Sequence, residues 1–289
     1  MRTIPFYTYL AADGRSIRFA ADSDLWITDL AGDDGLDIDT TAQQSMGQVG
    51  KSIIGQSVGS RSVTVTGSIL RDLDANERLL KQLIRPMEQA RWIKTVGNTA
   101  WYLDVLPAHT PDVNGGENCL HYQFKLLAAY PYWRTLGSNS TLLGGLQSTW
   151  FPTPVSTAGH FAISRYKQSL NTNVRNEGNA ETGFALQLRA TARVKNPMLW
   201  HNGSRTYIRL LREMLPGERA VISTEEDARG CTYYAADGTA ENAFRLLDVD
   251  SDLWMVLRPG DNILRLTAEE GRESLTATIQ APKGVASGV

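Results

Sequence analysis

The segment from Ser45 to Ser52 ends in the Gly-Lys-Ser of a phosphate-binding loop. Such a loop holds phosphate with backbone N–H groups and the start of a helix, so it needs a glycine at its first position, an apolar strand before it and a helix after it. Here the first position is Ser45, the preceding residues are polar, and Gly55 and Gly59 interrupt any following helix. We therefore expect a glycine-rich loop that binds no nucleotide.

Two acidic clusters have spacings that suit a cation. Asp248, Asp250 and Asp252 have the spacing of the first three carboxylates of a calcium-binding loop. That loop also needs a glycine at its sixth position and a glutamate at its twelfth, where this chain has Leu253 and Pro259. We predict instead an acidic turn that enters a five-residue strand beginning at Leu253. A second cluster fits a solvated loop as well as it fits a cation site: Asp33, Asp34, Asp37 and Asp39.

Groups for nucleophilic or zinc chemistry are sparse. The four histidines form no His-x-x-x-His pair, and Cys119-Leu-His121 has no second pair of zinc ligands. The sequence also has no Gly-x-Ser-x-Gly turn of a serine hydrolase. A Cys119 and His121 nucleophile pair stays open, although residues i and i+2 of a strand share a face in any case. We assign no catalytic, cofactor-binding or metal residue and predict that the protein is not an enzyme.

Composition narrows the function classes further. The 289 residues include 29 basic and 31 acidic side chains, and 42% are hydrophobic, as in soluble globular proteins of about two domains. A pI near 6.1 argues against nucleic-acid binding, and no apolar run is long enough for membrane insertion. The N-terminus lacks the apolar stretch of a secretory signal, so we expect folding in a cytoplasm. Cys119 and Cys231 are then expected to be buried thiols rather than a disulfide.

Most of the chain has the period-two pattern of β-strands. Val63, Val65 and Ile69 alternate with Ser and Thr between Arg61 and Ile69, which predicts a half-buried antiparallel strand. The pair of strands near the C-terminus is predicted to form a hairpin around Gly271. The further predicted strands are 122–129, 184–194, 207–211, 262–267 and 274–279. The protein is predicted to be mainly β.

One segment has helical spacing instead. From Asp74 to Met87 the apolar residues recur at i, i+3, i+4, i+7 and i+8, which places them on one helical face. Asp74 and Glu77 have capping-box spacing, and Pro86 is expected to end the last turn. The predicted core-facing residues are Leu79, Leu80, Leu83, Ile84 and Met87.

A run rich in Gly, Ser, Thr and Pro, from Leu136 to Gly159, suggests a domain boundary. We therefore predict a first domain over 1–135 and a second over 136–289, in which short strand signals recur at the spacing of a sandwich. Tryptophans in both halves could stack on sugar rings, but core anchors are the favoured interpretation. They are Trp92, Trp101, Trp133, Trp150, Trp200 and Trp254.

Several loose motifs occur in an order and spacing that resemble one family. In the first half they are Gly35-Leu36, the strand 59–69, Arg85-Pro86 and 124–133. In the second half they are 176–183, 195–197, 216–218, 222–224 and 252–262. Together they span nearly the whole chain, which resembles the siphophage distal tail proteins, also called the siphovirus tail component family. Tyr130 departs from the family pattern, which usually has Asp there.

The resemblance implies an N-terminal β-sandwich with one packed α-helix, which forms a ring, usually of six copies, at the phage tail tip. It implies a C-terminal galectin-like β-sandwich that faces outward. The implied partners are the tail tube protein, the tail-associated hub protein and receptor-binding or other baseplate proteins. The implied location is the tail tip of the virion, and the family is not catalytic.

The alternative function is a carbohydrate-binding module that recognises host cell-surface glycans. The implied galectin-like half and the number of tryptophans favour it. A galectin sugar site, however, needs His, Asn and Arg together with Trp on one sheet face, and residues 160–289 show no such set in order. The structural ring subunit is therefore the preferred prediction.

Overall fold

The computed structural model describes residues 4–144, 171–226 and 228–286. The chain divides into two compact units, one running to Gly137 and including the segment from Gly284 onward, the other running from Ser138 to Lys283. Near the C-terminus, the Ala286 carbonyl accepts a hydrogen bond from Arg61 of the first unit. The division into domains over 1–135 and 136–289 stays a prediction.

The first unit contains nine strands, the start of a tenth that continues past Gly137 into the second unit, and the one α-helix of the described residues. In chain order these are β1 (Phe6–Ala11), β2 (Ser16–Phe19), β3 (Leu25–Ala31), β4 (Ile38–Gln43), β5 (Ser52–Val58), β6 (Arg61–Ile69), α1 (Leu73–Leu83), β7 (Ala90–Val96), β8 (Thr99–Gly116), β9 (Cys119–Ala128) and β10 (Trp133–Gly144). The last strand includes residues 136–144, which the sequence assigned to an irregular run, and residues 145–159 of that run lie outside the described residues.

Strand β8 joins two antiparallel sheets of the first unit. Its first half pairs with β7 and its second half with β9, which gives the orders β2-β1-β7-β8-β10 and β3-β6-β9-β8. Aromatic side chains from both sheets fill the space between them, including Trp92 and Phe124, whose ring centroids are 6.3 Å apart. The predicted strand Arg61–Ile69 is confirmed, and its Val63 and Val65 are fully buried.

The helix is shorter than predicted. It ends at Leu83, before Pro86, and Leu80, Leu83 and Ile84 are buried as expected. Met87 is 95% exposed, because the backbone has left the helix by that point and Met87 has a φ of 64°. The predicted capping box is absent, since the helix is preceded by Asp72 in a left-handed conformation without a side-chain cap.

The second unit contains eleven further strands. They are β11 (Asn171–Asn176), β12 (Ala185–Ala190), β13 (Val194–Lys195), β14 (Met198–His201), β15 (Thr206–Arg209), β16 (Glu213–Met214), β17 (Arg219–Ser223), β18 (Gly230–Tyr234), β19 (Ala240–Asn242), β20 (Gly260–Thr267) and β21 (Leu275–Val285). One sheet has the order β19-β18-β17-β12-β21, and a second has the order β11-β20-β14-β15. Apolar side chains of both sheets share one core, so the unit is a sandwich.

Three predictions for this unit differ from the structure in whole or in part. The strand predicted over 184–194 is confirmed over Ala185–Ala190 but ends there, where the Thr191 N–H donates to the Ser274 carbonyl. The strands around Gly271 do not pair with each other, because β20 and β21 belong to opposite sheets and the connection between them crosses the sandwich. Residues 253–257 form turns and one isolated bridge, at Leu257, rather than a strand.

Candidate assembly surface

The phosphate-loop-like segment forms the tip of a β-hairpin. Strands β4 and β5 pair over six positions, and residues 44–51 connect them. Gln48 accepts from the backbone N–H of Ser45 at 3.2 Å and donates to Ser52 Oγ at 2.9 Å, so side chains close the turn. A strand rather than a helix follows Lys51. The segment therefore lacks the converging N–H groups that a phosphate needs.

Members of the two acidic clusters have different surroundings. Asp33 accepts hydrogen bonds from Lys94 and Tyr7 and is largely buried, whereas Asp34, Asp37 and Asp39 are exposed, as in a solvated loop. Asp252 Oδ1 accepts from the Trp254 backbone N–H at 2.9 Å, as in an ordinary acidic turn. Within the described ranges, no group of three His, Cys, Asp or Glu side chains is placed to hold a metal ion.

The possible nucleophile pair is also explained by structure. His121 Nδ1 lies 2.9 Å from Ser68 Oγ on the neighbouring strand, while the Cys119 thiol lies 3.8 Å from the Leu120 carbonyl oxygen. Both cysteines are free thiols, as expected, but only Cys231 is fully buried and Cys119 is half-buried. Burial raises the pKa of the Cys231 thiol to about 11, so this thiol is protonated at neutral pH.

The hairpin of β4 and β5 has an unusual exposure. All thirteen of its strand residues are exposed, although the ladder between the two strands is continuous apart from one bulge opposite Thr41 and Ala42. A two-stranded hairpin alone in water is only marginally stable. We call residues 38–58 the assembly hairpin.

The assembly hairpin carries large apolar side chains that are exposed. Ile53 and Ile54, beside the bulge of β5, are 66% and 64% exposed. Met46 and Val49 at the tip are completely exposed. The other exposed apolar members are Ile38 and Val58. Such a concentration of exposed apolar surface marks an interaction site.

Sequence reasoning missed this surface, although a signal was present. Residues 39–44 are mostly polar, so they were not predicted to form a strand, yet they lie in or next to β4, which pairs with the strand that contains Ile53 and Ile54. A glycine-containing turn between two β-type segments is the usual signature of a hairpin. What the sequence could not show is that every strand residue of this hairpin is exposed.

The second unit presents a polar and aromatic row on the outer face of the β11-β20-β14-β15 sheet. Tyr207 lies opposite Trp200, Trp200 lies opposite Arg265, and Arg265 lies opposite Asn171, so one residue from each strand shares this row. The rings of Trp200 and Tyr207 are nearly parallel, with an angle of 14° and 6.1 Å between centroids. We call these four residues the aromatic row.

The His and Asn side chains that a galectin sugar site would need lie on the opposite, buried face of this sheet. His201 and Asn262 are both buried, and His201 Nε2 lies 3.3 Å from Asn262 Oδ1. Since His201 follows Trp200 directly in a strand, the two side chains lie on opposite faces of the sheet. The His, Asn, Arg and Trp set therefore does not converge on one face.

Comparison with known proteins bears on both units. Residues 177–280 match the family model of the siphovirus-type tail component, C-terminal domain. The matched residues lie within the second unit. The resemblance inferred from the sequence is thereby confirmed. This family consists of tail components and is not a class of enzymes. No curated protein is a significant match to the sequence.

Solved structures extend the similarity to nearly the whole chain. One is the SPP1 Dit (gp 19.1) protein, whose structure is described as a paradigm of the hub adsorption apparatus in phages that infect Gram-positive bacteria. It aligns over 95% of this chain and 98% of its own, with a TM-score of 0.67 and 13% identity. Chains of the phage P2 baseplate in its activated conformation with Ca and with Sr have TM-scores of 0.58 and 0.57, at 13% and 12% identity, each over 96% of this chain and 98% of theirs. The fold is therefore Dit-like in both units.

The described residues also bear on membrane insertion. No helix in them is both long enough and apolar enough to cross a bilayer.

Proposed function

We propose that this chain is a structural distal tail protein whose first unit closes a ring of six copies at the tip of a siphovirus-type tail. In that role it joins the tail tube protein to the tail-associated hub protein, and its second unit holds receptor-binding or other baseplate proteins. The chain folds in the host cytoplasm and then resides in the virion tail tip. It performs no catalysis, and its function is the geometry of its interfaces.

The observation that carries the proposal is the assembly hairpin. Its apolar side chains are exposed in the single chain, and fully burying one Ile, Val or Met side chain contributes about 1.5–3 kcal/mol. A ring supplies the burial, because each copy can place its hairpin on its neighbour in a head-to-tail contact that closes on itself. Closure also covers strand edges such as β3, which among the described strands pairs only with β6.

The test replaces Ile53 and Ile54 together by Asp and measures the mass of the native particle. The two carboxylates would have to be buried at the contact, so we expect the variant to remain monomeric under conditions in which the unaltered chain forms the ring. Val249→Asp is the matched control, because Val249 is 97% exposed in the second unit. A ring that forms normally from the hairpin variant would refute the role of the hairpin.

The aromatic row favours a second candidate function, the binding of a saccharide by the second unit. Two nearly parallel aromatic rings offer an apolar surface for a sugar ring, while Arg265 and Asn171 supply hydrogen-bond groups in the same row. A glycan array probed with the full chain tests this function. Binding should be lost in Trp200→Ala and kept in Trp254→Ala, since Trp254 is exposed elsewhere in the unit. Equal glycan binding by the two variants would exclude the row.

A further inference from the structure

The first unit buries charged side chains close to the two ends of the assembly hairpin. Arg61 and Lys94 are each only 3% exposed. A buried charge is costly unless it is paired and hydrogen-bonded. The hydrogen-bond partners of Arg61 and Lys94 therefore show which segments of the chain these two side chains connect.

Arg61 binds three separate segments of the chain. Its Nη1 donates to the carbonyl oxygens of Gly32 at 2.9 Å and Asp33 at 2.7 Å. Its Nε donates to the Pro131 carbonyl at 2.7 Å, and its Nη2 donates to the Ala286 carbonyl at 2.6 Å. The planar guanidinium, with its fixed fork of donors, can reach all three segments at once, whereas an ammonium group cannot.

Asp33 is held by both its backbone and its side chain. Its carbonyl also accepts from Trp133 Nε1 at 3.1 Å, and its carboxylate Oδ2 accepts from Lys94 at 2.5 Å and from Tyr7 at 2.9 Å. The adjacent Gly32 has a φ of 82°, and a Cβ there would lie 1.9 Å from the Ser62 carbonyl oxygen. The backbone at Gly32 therefore packs directly against the start of β6.

These contacts meet where the assembly hairpin begins and ends. Asp33 lies five residues before Ile38, and Arg61 lies three residues after Val58. The Gly59 N–H donates to the Asp37 carbonyl at 3.4 Å and closes the base of the hairpin. The orientation of the hairpin is thus fixed at a point that also includes the C-terminal segment.

We propose that Arg61 is the positioning residue of the assembly hairpin and that the segment from Gly284 completes its anchor by accepting the Nη2 hydrogen bond. A chain that lacks this segment leaves a guanidinium N–H without its partner and loosens the hairpin base. Correct placement of the hairpin then depends on a segment that follows the second unit in the sequence. The link to ring closure rests on the function proposed above.

The test measures backbone hydrogen exchange at Gly59, whose N–H bonds to the Asp37 carbonyl at the hairpin base, in the full chain with Ile53 and Ile54 replaced by Asp. Deletion of residues 284–289 and the substitution Arg61→Lys should each speed exchange there by about tenfold or more, because a buried charged hydrogen bond is lost. Arg91→Lys is the control, since Arg91 is half exposed in its pair with Asp104. Exchange in α1 should stay unchanged in all variants.

The deletion keeps the proposal falsifiable even if Arg61→Lys fails to fold, because it leaves Arg61 in place and removes its acceptor Ala286 with only the last two residues of β21. Unchanged exchange at Gly59 after the deletion would overturn the anchor. In the background with the native hairpin, the deletion should also prevent ring formation, and a normal ring would overturn the link to assembly. If the unaltered chain forms no ring, the proposed function fails, while the exchange result still decides the anchor.

Discussion

The two units place charged and apolar side chains in opposite ways. Within the described residues, the first unit buries three cationic side chains, Arg61, Lys94 and Arg134, and exposes the apolar assembly hairpin. The polar side chains buried in the second unit are amides, hydroxyls and one histidine, and they lie around a single apolar core. The second unit is thus a self-contained sandwich. In the first unit, the buried cations Arg61 and Lys94 bind the segment that leads into the exposed hairpin.

The largest effect should come from Leu83→Asp. Leu83 is 1% exposed beneath α1, so the substitution buries an unpaired carboxylate at a cost comparable with the roughly 5–15 kcal/mol stability of a domain. We expect the first unit to unfold while the second keeps its β-type circular dichroism. Met87→Asp is the control and should be neutral, because Met87 is exposed. Loss of both units together would contradict the independence of the two cores.

The second prediction tests the buried charge of the first unit. Lys94→Met leaves Asp33 without its cation and should lower the free energy of unfolding by about 3–5 kcal/mol, whereas Arg91→Met breaks an exposed pair and should cost about 0–1 kcal/mol. Thermal and urea unfolding measure both. Adding Asp33→Asn to Lys94→Met should restore part of the loss, and a double variant no more stable than the single one would show that the pair is not the cause.

The predictability of the fold from sequence also differs between the regions. Alternation over Arg61–Ile69 identified a strand correctly because that strand has one buried face, and the apolar spacing before Leu83 identified the helix. The hairpin around Gly271 was wrong, because local turn chemistry cannot show that β20 and β21 belong to opposite sheets. Register and sheet partners depend on contacts distant in sequence.

The candidate site was even less accessible to sequence reasoning. Two residues that the sequence singled out as possible ligand-binding groups have structural roles instead. Lys51 lies at the tip of a hairpin, and Asp33 accepts a hydrogen bond from the buried Lys94. The assembly hairpin is recognisable only when Ile53 and Ile54 are seen to be exposed. Exposure results from the tertiary fold, so a period-two pattern alone could not reveal it.

A smaller effect is expected at the two cysteines. Iodoacetamide at pH 8 should modify the half-buried Cys119 before Cys231, since Cys231 is buried and its pKa of about 11 keeps the thiol protonated. The thiolate fraction of Cys231 should rise only as the pH approaches 11. Peptide mass mapping measures the order of modification, and unfolding in guanidinium should remove the difference. Prior modification of Cys231 in the native chain would show that the second core opens readily.

The smallest expected effect concerns the tip of the assembly hairpin. ATP or GTP should not change the melting temperature, because a ligand that binds only the native state must raise it and this tip forms no phosphate cradle. Lys51→Ala combined with Ser52→Ala should likewise alter the ring only through packing of the tip. A nucleotide-dependent rise in the melting temperature that disappears in this double variant would establish a phosphate site.

The central claim is that the chain assembles through its first unit into a closed ring. Its most direct test is native mass measurement of the full chain over a range of concentrations, combined with a count of its copies on isolated tails. We predict a discrete species of six chains of 31.9 kDa each, with no larger open series, because head-to-tail contacts in a ring are closed. A chain that stays monomeric both in solution and on tails would contradict this account.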